Sequence, residues 1–323
     1  MGQTNALSNV TLKSVIKNFG ILFVFFALVI VLSIISPNHA FAQPYNIINI
    51  LKQTAINGIL ATGMLFVIVS GGIDLSIGSI VGVTAVLSAM LAHTGGYPLI
   101  VAIVIPILVG AVFGLVNGAL VSYGGIPPFI VTLGSMTVLR GLALIISGGS
   151  PITGVSMQFE KISSSFVFGI PSLAIYFALV VLICAIILQK TVFGRNVFAI
   201  GGNEISARVS GVNVNFIRLL VYGIMGLLAG FCGVLMASRT TTGAPLAGSG
   251  YEMDAIAAAV IGGVSMTGGV GKWYGVVIGA LLIAVIGNGL DILGVASSYQ
   301  QVIKGLIIIV AVFLDLRGKR NKK

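Results

Sequence analysis

The sequence predicts an all-α polytopic membrane protein: one bundle of about ten transmembrane helices, with short or broken helices near 70–80 and 253–272. Three observations carry this expectation. Charged residues are 7% of the chain and AVILMFWYC residues 57%, whereas a soluble domain holds roughly 25% charged residues to keep its surface hydrated. The apolar residues are gathered in long runs, which suit helices; barrel strands alternate in short segments. Glycine is also frequent, 44 of 323 residues. Helices in lipid gain little from hydrophobicity when they meet, so they rely on small residues for close approach.

A hydrocarbon core of ~30 Å takes about 20 apolar residues per helix. The runs at 19–36, 54–70, 75–93, 98–122, 127–147, 172–189, 215–237, 253–267, 272–290 and 297–314 are read as the ten spans. Ala40-Phe41-Ala42 after the first run looks like a signal-peptidase site. The run itself is longer than the ~7–15 residues of a signal core, so it is taken as a span. The eighth run is the shortest, and at ~1.5 Å per residue it falls short of the core; either the membrane thins there or the run is half of a broken helix. Gly110, Gly114 and Gly118, Gly226 and Gly230, and Gly271, Gly275 and Gly279 form small-residue strips. They suit either dimerisation or packing within the bundle, and internal packing is expected.

Lysine and arginine set the sidedness. With a cytoplasmic N-terminus the inner side holds Lys13, Lys17, Lys190, Arg195, Arg208, Arg218, Lys272, Arg317, Lys319, Arg320, Lys322 and Lys323, against Lys52, Lys161 and Arg239 outside. Both ends are therefore expected in the cytoplasm: a tail at 1–18, a loop at 190–214 and a basic tail at 315–323, all in a single transmembrane domain spanning 1–323. The +10 net charge is a topology signal and no mark of a nucleic-acid partner. Cys184 and Cys232 lie in separate apolar runs, and with only His39 and His93 there is no metal framework. No phosphate loop of the GxxxxGK[ST] kind occurs, so nucleotide binding through that motif is excluded.

One glycine frame occurs twice. Ser70-Gly71-Gly72-Ile73 aligns with Thr267-Gly268-Gly269-Val270, and Gly78 and Gly82 align with Gly275 and Gly279. Paired glycines permit a sharp reversal, and a duplicated pair of hairpins around a common pathway is expected. Asp74, with Ser76 two residues on, reads as a cap for the third span at its wet end. Its pairing with Lys272 would close the inner mouth. Asn203 reads as the N-cap of a short amphipathic stretch between glycine pairs in the inner loop.

Glu252 and Asp254 stand at what reads as the outer start of the eighth span, in reach of an outer vestibule. Residues i and i+2 of a helix point in different directions, so they form no dyad, and charge at a helix N-terminus is the plainer role. Arg140 and Lys304 fall inside spans, where a charge costs about 2.5–3.5 kcal/mol by insertion scales. Lys304 is expected to pair with a carboxylate or with helix-end carbonyls. Every acidic residue falls in a loop or at a span end, which weighs against a self-sufficient secondary carrier or channel, the alternative reading, since carriers often keep an ionisable group near the midplane. No His/Asp/Glu cluster supports a membrane enzyme.

GGIDLSIGS (71–79), IGGNEISARVSGVNV (200–214), GSGYEMDAIAAAVIGG (248–263) and SYQQVIKGLIIIVAV (298–312) resemble the membrane permease subunit of ribose-type ABC monosaccharide importers. The resemblance runs from about Pro37 to Asp315. It implies a pore-forming homodimer in the bacterial inner membrane that handles a monosaccharide, with ribose the expected sugar. It also implies a cytoplasmic ATPase subunit with two nucleotide-binding domains and an extracytoplasmic sugar-binding protein. The chain itself would hold no cofactor; ATP and Mg would sit in the partner. The family's ATPase-docking loop falls on Gly202, Asn203, Glu204, Ala207, Ser210 and Gly211. Asp74, Ser76, Gly78, Glu252, Asp254, Gly269, Lys272 and Lys304 would line or gate the path through membrane lipid.

Overall fold

The computed structural model describes residues 12–320. Residues 1–11 and 321–323, with the side chains of 12–19, 311 and 314–320, lie outside that description. The expected cytoplasmic tails at 1–18 and 315–323 are therefore largely outside the described residues.

Helix α1 covers Leu12–Ile35, and after a tight turn at 37–42 α2 covers Pro44–Val69. Then follow α3 (Ile77–Leu91), α4 (Leu99–Ser122), α5 (Pro128–Ser147), α6 (Met157–Ser164) and α7 (Ser172–Lys190). The chain continues through α8 (Val192–Gly202), α9 (Glu204–Val209), α10 (Val214–Thr240), α11 (Tyr251–Ile261), α12 (Trp273–Ile292) and α13 (Ser297–Arg320). Strands β1 (Phe166–Val167) and β2 (Ile170–Pro171) form a small antiparallel hairpin.

Each of the ten expected spans contains a helix. Among the described residues α2, α4, α5, α7, α10 and α12 are long and apolar enough to cross a membrane. α11, with 11 residues, reaches only about 16 Å and is the short helix its run predicted. Helix α2 begins at Pro44, well before residue 54. Pro44 occupies the first helical turn, where a missing amide costs nothing. The polar Asn46 that breaks the hydropathy pattern is satisfied inside the bundle. Its side-chain amide exchanges two hydrogen bonds with Asn288 of α12, at 2.9 and 2.8 Å.

The glycine strips pack internally. A Cβ on Gly114 would overlap the carbonyl oxygen of Tyr222, and one on Gly110 that of Gly226, so α4 and α10 meet backbone to backbone. Gly275 and Gly279 do the same against Gly262 and Ala258, fastening α12 to α11. Dispersion contacts of this kind hold helices together where lipid supplies no hydrophobic driving force. The periphery is apolar: Phe23, Phe26 and Ile30 of α1, Leu108 and Val112 of α4, and Leu182 and Ile186 of α7 face outward.

The two glycine turns and α8 lie at one end of the bundle. Helix α6 and the hairpin lie at the other, where Ser163 donates its amide to Ser238 Oγ at 3.0 Å near the end of α10.

Candidate functional site

Between α10 and α11 the chain does not cross the bundle as a helix. Gly243 pairs with Ile152 through two backbone hydrogen bonds of 2.8 and 3.0 Å at the α6 end. The next residues run as successive turns, without helix, alongside α3, passing Ala85 and reaching Gly78 at Gly248. Gly248 and Gly250 take left-handed backbone (φ 74° and 85°), which turns the segment into α11. An uncoiled stretch in a bilayer leaves carbonyls without partners. Arg140 of α5 supplies them, donating through Nη1 to Pro245 O at 2.8 Å and Ala247 O at 3.1 Å. Gly82 of α3 leaves the space in which these groups meet. The arginine that looked expensive in the sequence is thus a clamp.

α11 therefore starts within the bundle. Glu252 and Asp254 do not stand at the outer surface, a correction to the sequence expectation that follows from the uncoiled descent before them. As i and i+2 residues they diverge: Glu252 packs against Gly78 within electrostatic reach of Arg140. Asp254 is buried and accepts from Lys304 Nζ of α13 at 2.9 Å and, more weakly, from Asn57 Nδ2 of α2 at 3.5 Å. The predicted carboxylate partner of Lys304 is found.

This ion pair separates two cavities. One, about 320 Å³, is bounded by Gln53 and Asn57 (α2), Arg239 and Thr240 (α10), Tyr251 (α11), Asp291 (α12) and Gln300 (α13), with exposed Arg239, Thr240 and Asp291 at its rim. The other, about 510 Å³, lies beside Ser249, Gly250, Met253, Gln301, Gly305 and Ile308. Tyr251, Asp254 and Lys304 belong to both walls. The arrangement offers hydrogen-bond donors and acceptors to a small polar molecule.

A second polar group lies at the start of α3. Asp74 Oδ1 accepts from the Ser76 amide at 2.9 Å and from Ser76 Oγ at 2.6 Å. Asn117 Nδ2 of α4 donates to Ser76 Oγ at 2.9 Å, and Ser135 of α5 donates to Asn117 Oδ1. Asp74 does not cap α3 as expected: the N-cap is Ser76, without a side-chain cap bond, and Asp74 closes the turn just before it, fully buried and not in water. Nor does it pair with Lys272, which is exposed with its Nζ 5.5 Å from the Tyr274 ring centre. The two charges diverge because Asp74 turns into the α4–α5 side while Lys272 precedes α12 at the surface. Asp74 lies in the stretch before α3 and Asp254 in the first turn of α11, so both are at element ends as expected, yet both are buried inside the bundle. Residue positions near a span end gave no sign that the chain dips inward at both places.

The third group is the junction with residues 190–214. Gly269 N donates to Val69 O at 2.9 Å, and Gly201 fits between them so closely that a Cβ would overlap the Val69 carbonyl. Gly71 and Gly268 (φ 84° and 81°) bring the two matched turns into contact. The duplicated frame thus builds one seat for the end of α8, with Gly269 in it.

Asn203 caps α9 by accepting from the Ser206 amide at 2.9 Å. Glu204 accepts from Arg218 Nη2 at 2.6 Å and Arg208 Nη2 at 3.1 Å. Arg218 first, then Arg208, hold its carboxyl below the usual carboxylate range. Ala207 is buried, Ser210 ends the helix, and Gly211 (φ 85°) makes the exit turn. These residues shape the loop. The groups it presents are Ile205 and Val209, among the most exposed large apolar side chains of the protein. Sequence reasoning passed over them, although i, i+4 spacing puts both on one face. Helix α8 and the uncharged Asn57, Asn117, Gln53 and Gln300 were missed too; apart from the Asn203 cap, reading polar function from charge alone overlooks amides.

The family described as "branched-chain amino acid transport system / permease component" matches residues 46–312. The ribose import permease protein of Bacillus subtilis (strain 168) is 45% identical over 292 residues, 90% of each chain. That of Escherichia coli (strain K12) is 40% identical over 300 residues, 92% of this chain and 91% of the relative. The D-allose transport system permease protein of the same strain is 40% identical over 297 residues, again 92% and 91%. No solved structure matches the chain. With the match covering most of the bundle, from α2 through α13, the chain belongs to the branched-chain amino acid transport system / permease component family.

Proposed function

We propose that the chain is the pore-forming membrane subunit of an ATP-driven monosaccharide importer, with ribose the first sugar to test. The observation that carries this reading is the 45% identity, over nine-tenths of both chains, to a ribose import permease. In this reading two copies form the passage in the bacterial inner membrane, as one permease domain spanning 1–323, with both termini in the cytoplasm. A separate ATPase subunit binds ATP and Mg and docks on residues 190–214, where Ile205 and Val209 offer an apolar footing. A sugar-binding protein delivers substrate at the α6 end. The distribution of lysine and arginine supports that sidedness.

The buried Asp254–Lys304 pair removes one objection to a self-sufficient carrier, so the test includes the chain alone. The chain is reconstituted in liposomes with and without its ATPase and binding protein, and uptake of labelled ribose is followed. Uptake only with both partners and ATP is expected, and Ile205→Asp should abolish stimulated ATP hydrolysis. Ribose flux by the chain alone would establish the carrier instead.

A further inference from the structure

The cavity beside the Asp254–Lys304 pair has a composition that names a ligand class. Its wall holds two acids, Asp254 and Asp291, and two bases, Arg239 and Lys304, so it offers no net charge to an ion. It offers donors and acceptors of every kind around a compact space. At about 320 Å³ it lies at the small end of the ~300–1,000 Å³ range of ligand pockets. That volume suits one small, uncharged, polyhydroxylated molecule.

Several of its polar groups are under-used within the chain. Asn57 Oδ1 is shielded from solvent and has no hydrogen-bond partner, a state that costs free energy until something donates to it. The Tyr251 hydroxyl donates only to the thioether of Met236, at 3.7 Å, a weak acceptor. Lys304 Nζ makes its hydrogen bond to Asp254 out of three possible donors. Gln300, by contrast, is held by Asp291 Oδ1 at 2.8 Å and Val295 O at 2.9 Å, which fixes its side chain at the rim.

We infer that this cavity is a binding subsite within the membrane bundle for a single neutral polyol of pentose size. The Lys304 ammonium and the Tyr251 hydroxyl donate to two of its hydroxyls, while Asn57, on the same wall, turns its shielded Oδ1 into the cavity to accept from a third. The inference rests on the sugar-importer reading for the choice of pentose, and on the cavity alone for the class of ligand. The bridged pair then serves as the floor that a passing molecule must disturb to reach the second cavity.

Gln53→Cys introduces a thiol on the wall, while Cys184 and Cys232 are buried and give little background. In membranes holding the full chain, a water-soluble thiol reagent should label position 53. D-ribose should slow that labelling several-fold in a concentration-dependent way, and sodium chloride at equal osmolality should not. Adding Asn57→Leu to the same chain should abolish the protection while leaving labelling intact. No protection by ribose, allose or xylitol overturns the subsite, as does protection that survives Asn57→Leu. Unlabelled Gln53→Cys is replaced by Thr240→Cys at the rim of the same cavity, and absence of protection there overturns it equally. Ribose uptake by the reconstituted complex is read in parallel. Uptake without protection removes the subsite and spares the importer, whereas protection without uptake does the reverse.

Discussion

The amide of Gly269 donates to the carbonyl of Val69 at 2.9 Å, joining the turn after α11 to the turn after α2. Gly201, from the end of α8, is pressed into that joint, while its neighbour Gly202 has open space around its Cα. Gly201→Ala should therefore destabilise by about 1–3 kcal/mol through overpacking, and Gly202→Ala by a few tenths or not at all. Thermal unfolding of the two purified variants in detergent measures the difference; equal midpoints would refute the seat.

Lys304→Met strands the buried Asp254 carboxylate. Lys304 keeps some solvent access, so the expected loss, about 1–3 kcal/mol, lies below the 3–5 of a fully enclosed pair. Asp254→Asn combined with Lys304→Met should recover most of it, because no lone charge remains. A double-mutant cycle on unfolding midpoints reads the coupling directly, and strict additivity would contradict the pairing.

Arg140→Gln leaves the carbonyls of Pro245 and Ala247 with a shorter, uncharged donor at best. About 2–4 kcal/mol should be lost, from unsatisfied groups costing about 1–3 each. Arg140→Lys should fall between, since one ammonium can reach one of the two oxygens. Limited proteolysis within 241–250 should accelerate in the same order as the stability loss.

Glu204 gives a pH dependence with a definite sign. Its folded-state pKa is depressed by Arg218 and Arg208, so its contribution is complete above the ordinary value of ~4.3. It is lost only as the pH falls through the lower, folded value. Amide exchange of residues 203–211 should be flat between pH 7 and 5 once corrected for intrinsic rates, then rise in acid. Glu204→Gln should show raised exchange throughout and no acid step.

Much of this architecture was legible in the residues. Each of the ten apolar runs holds a helix, six of them long and apolar enough to cross a membrane among the described residues; the brevity of 253–267 foretold a short helix, and the matched glycines marked both turns. The glycine strips were internal because tight helix packing inside the bundle needs them there. The depth of Asp74 and Asp254 was not legible. Sequence position reports distance along the chain, and the uncoiled descent of 241–250 breaks the link between that distance and depth in the membrane. The pairing of Asp74 with Lys272 failed for a related reason: matched turns place backbones alike, while side chains follow their own neighbours.

The clamp of Arg140 on uncoiled backbone also bears on biogenesis. A stretch such as 241–250 is a poor candidate for insertion as an independent unit, since its carbonyls have no helix to satisfy them in hydrocarbon. Translation delivers α3 and α5 before the strand they shelter. The receptacle is thus already assembled when its occupant leaves the ribosome, and a permuted chain that reversed this order would have to thread polar backbone through bare lipid.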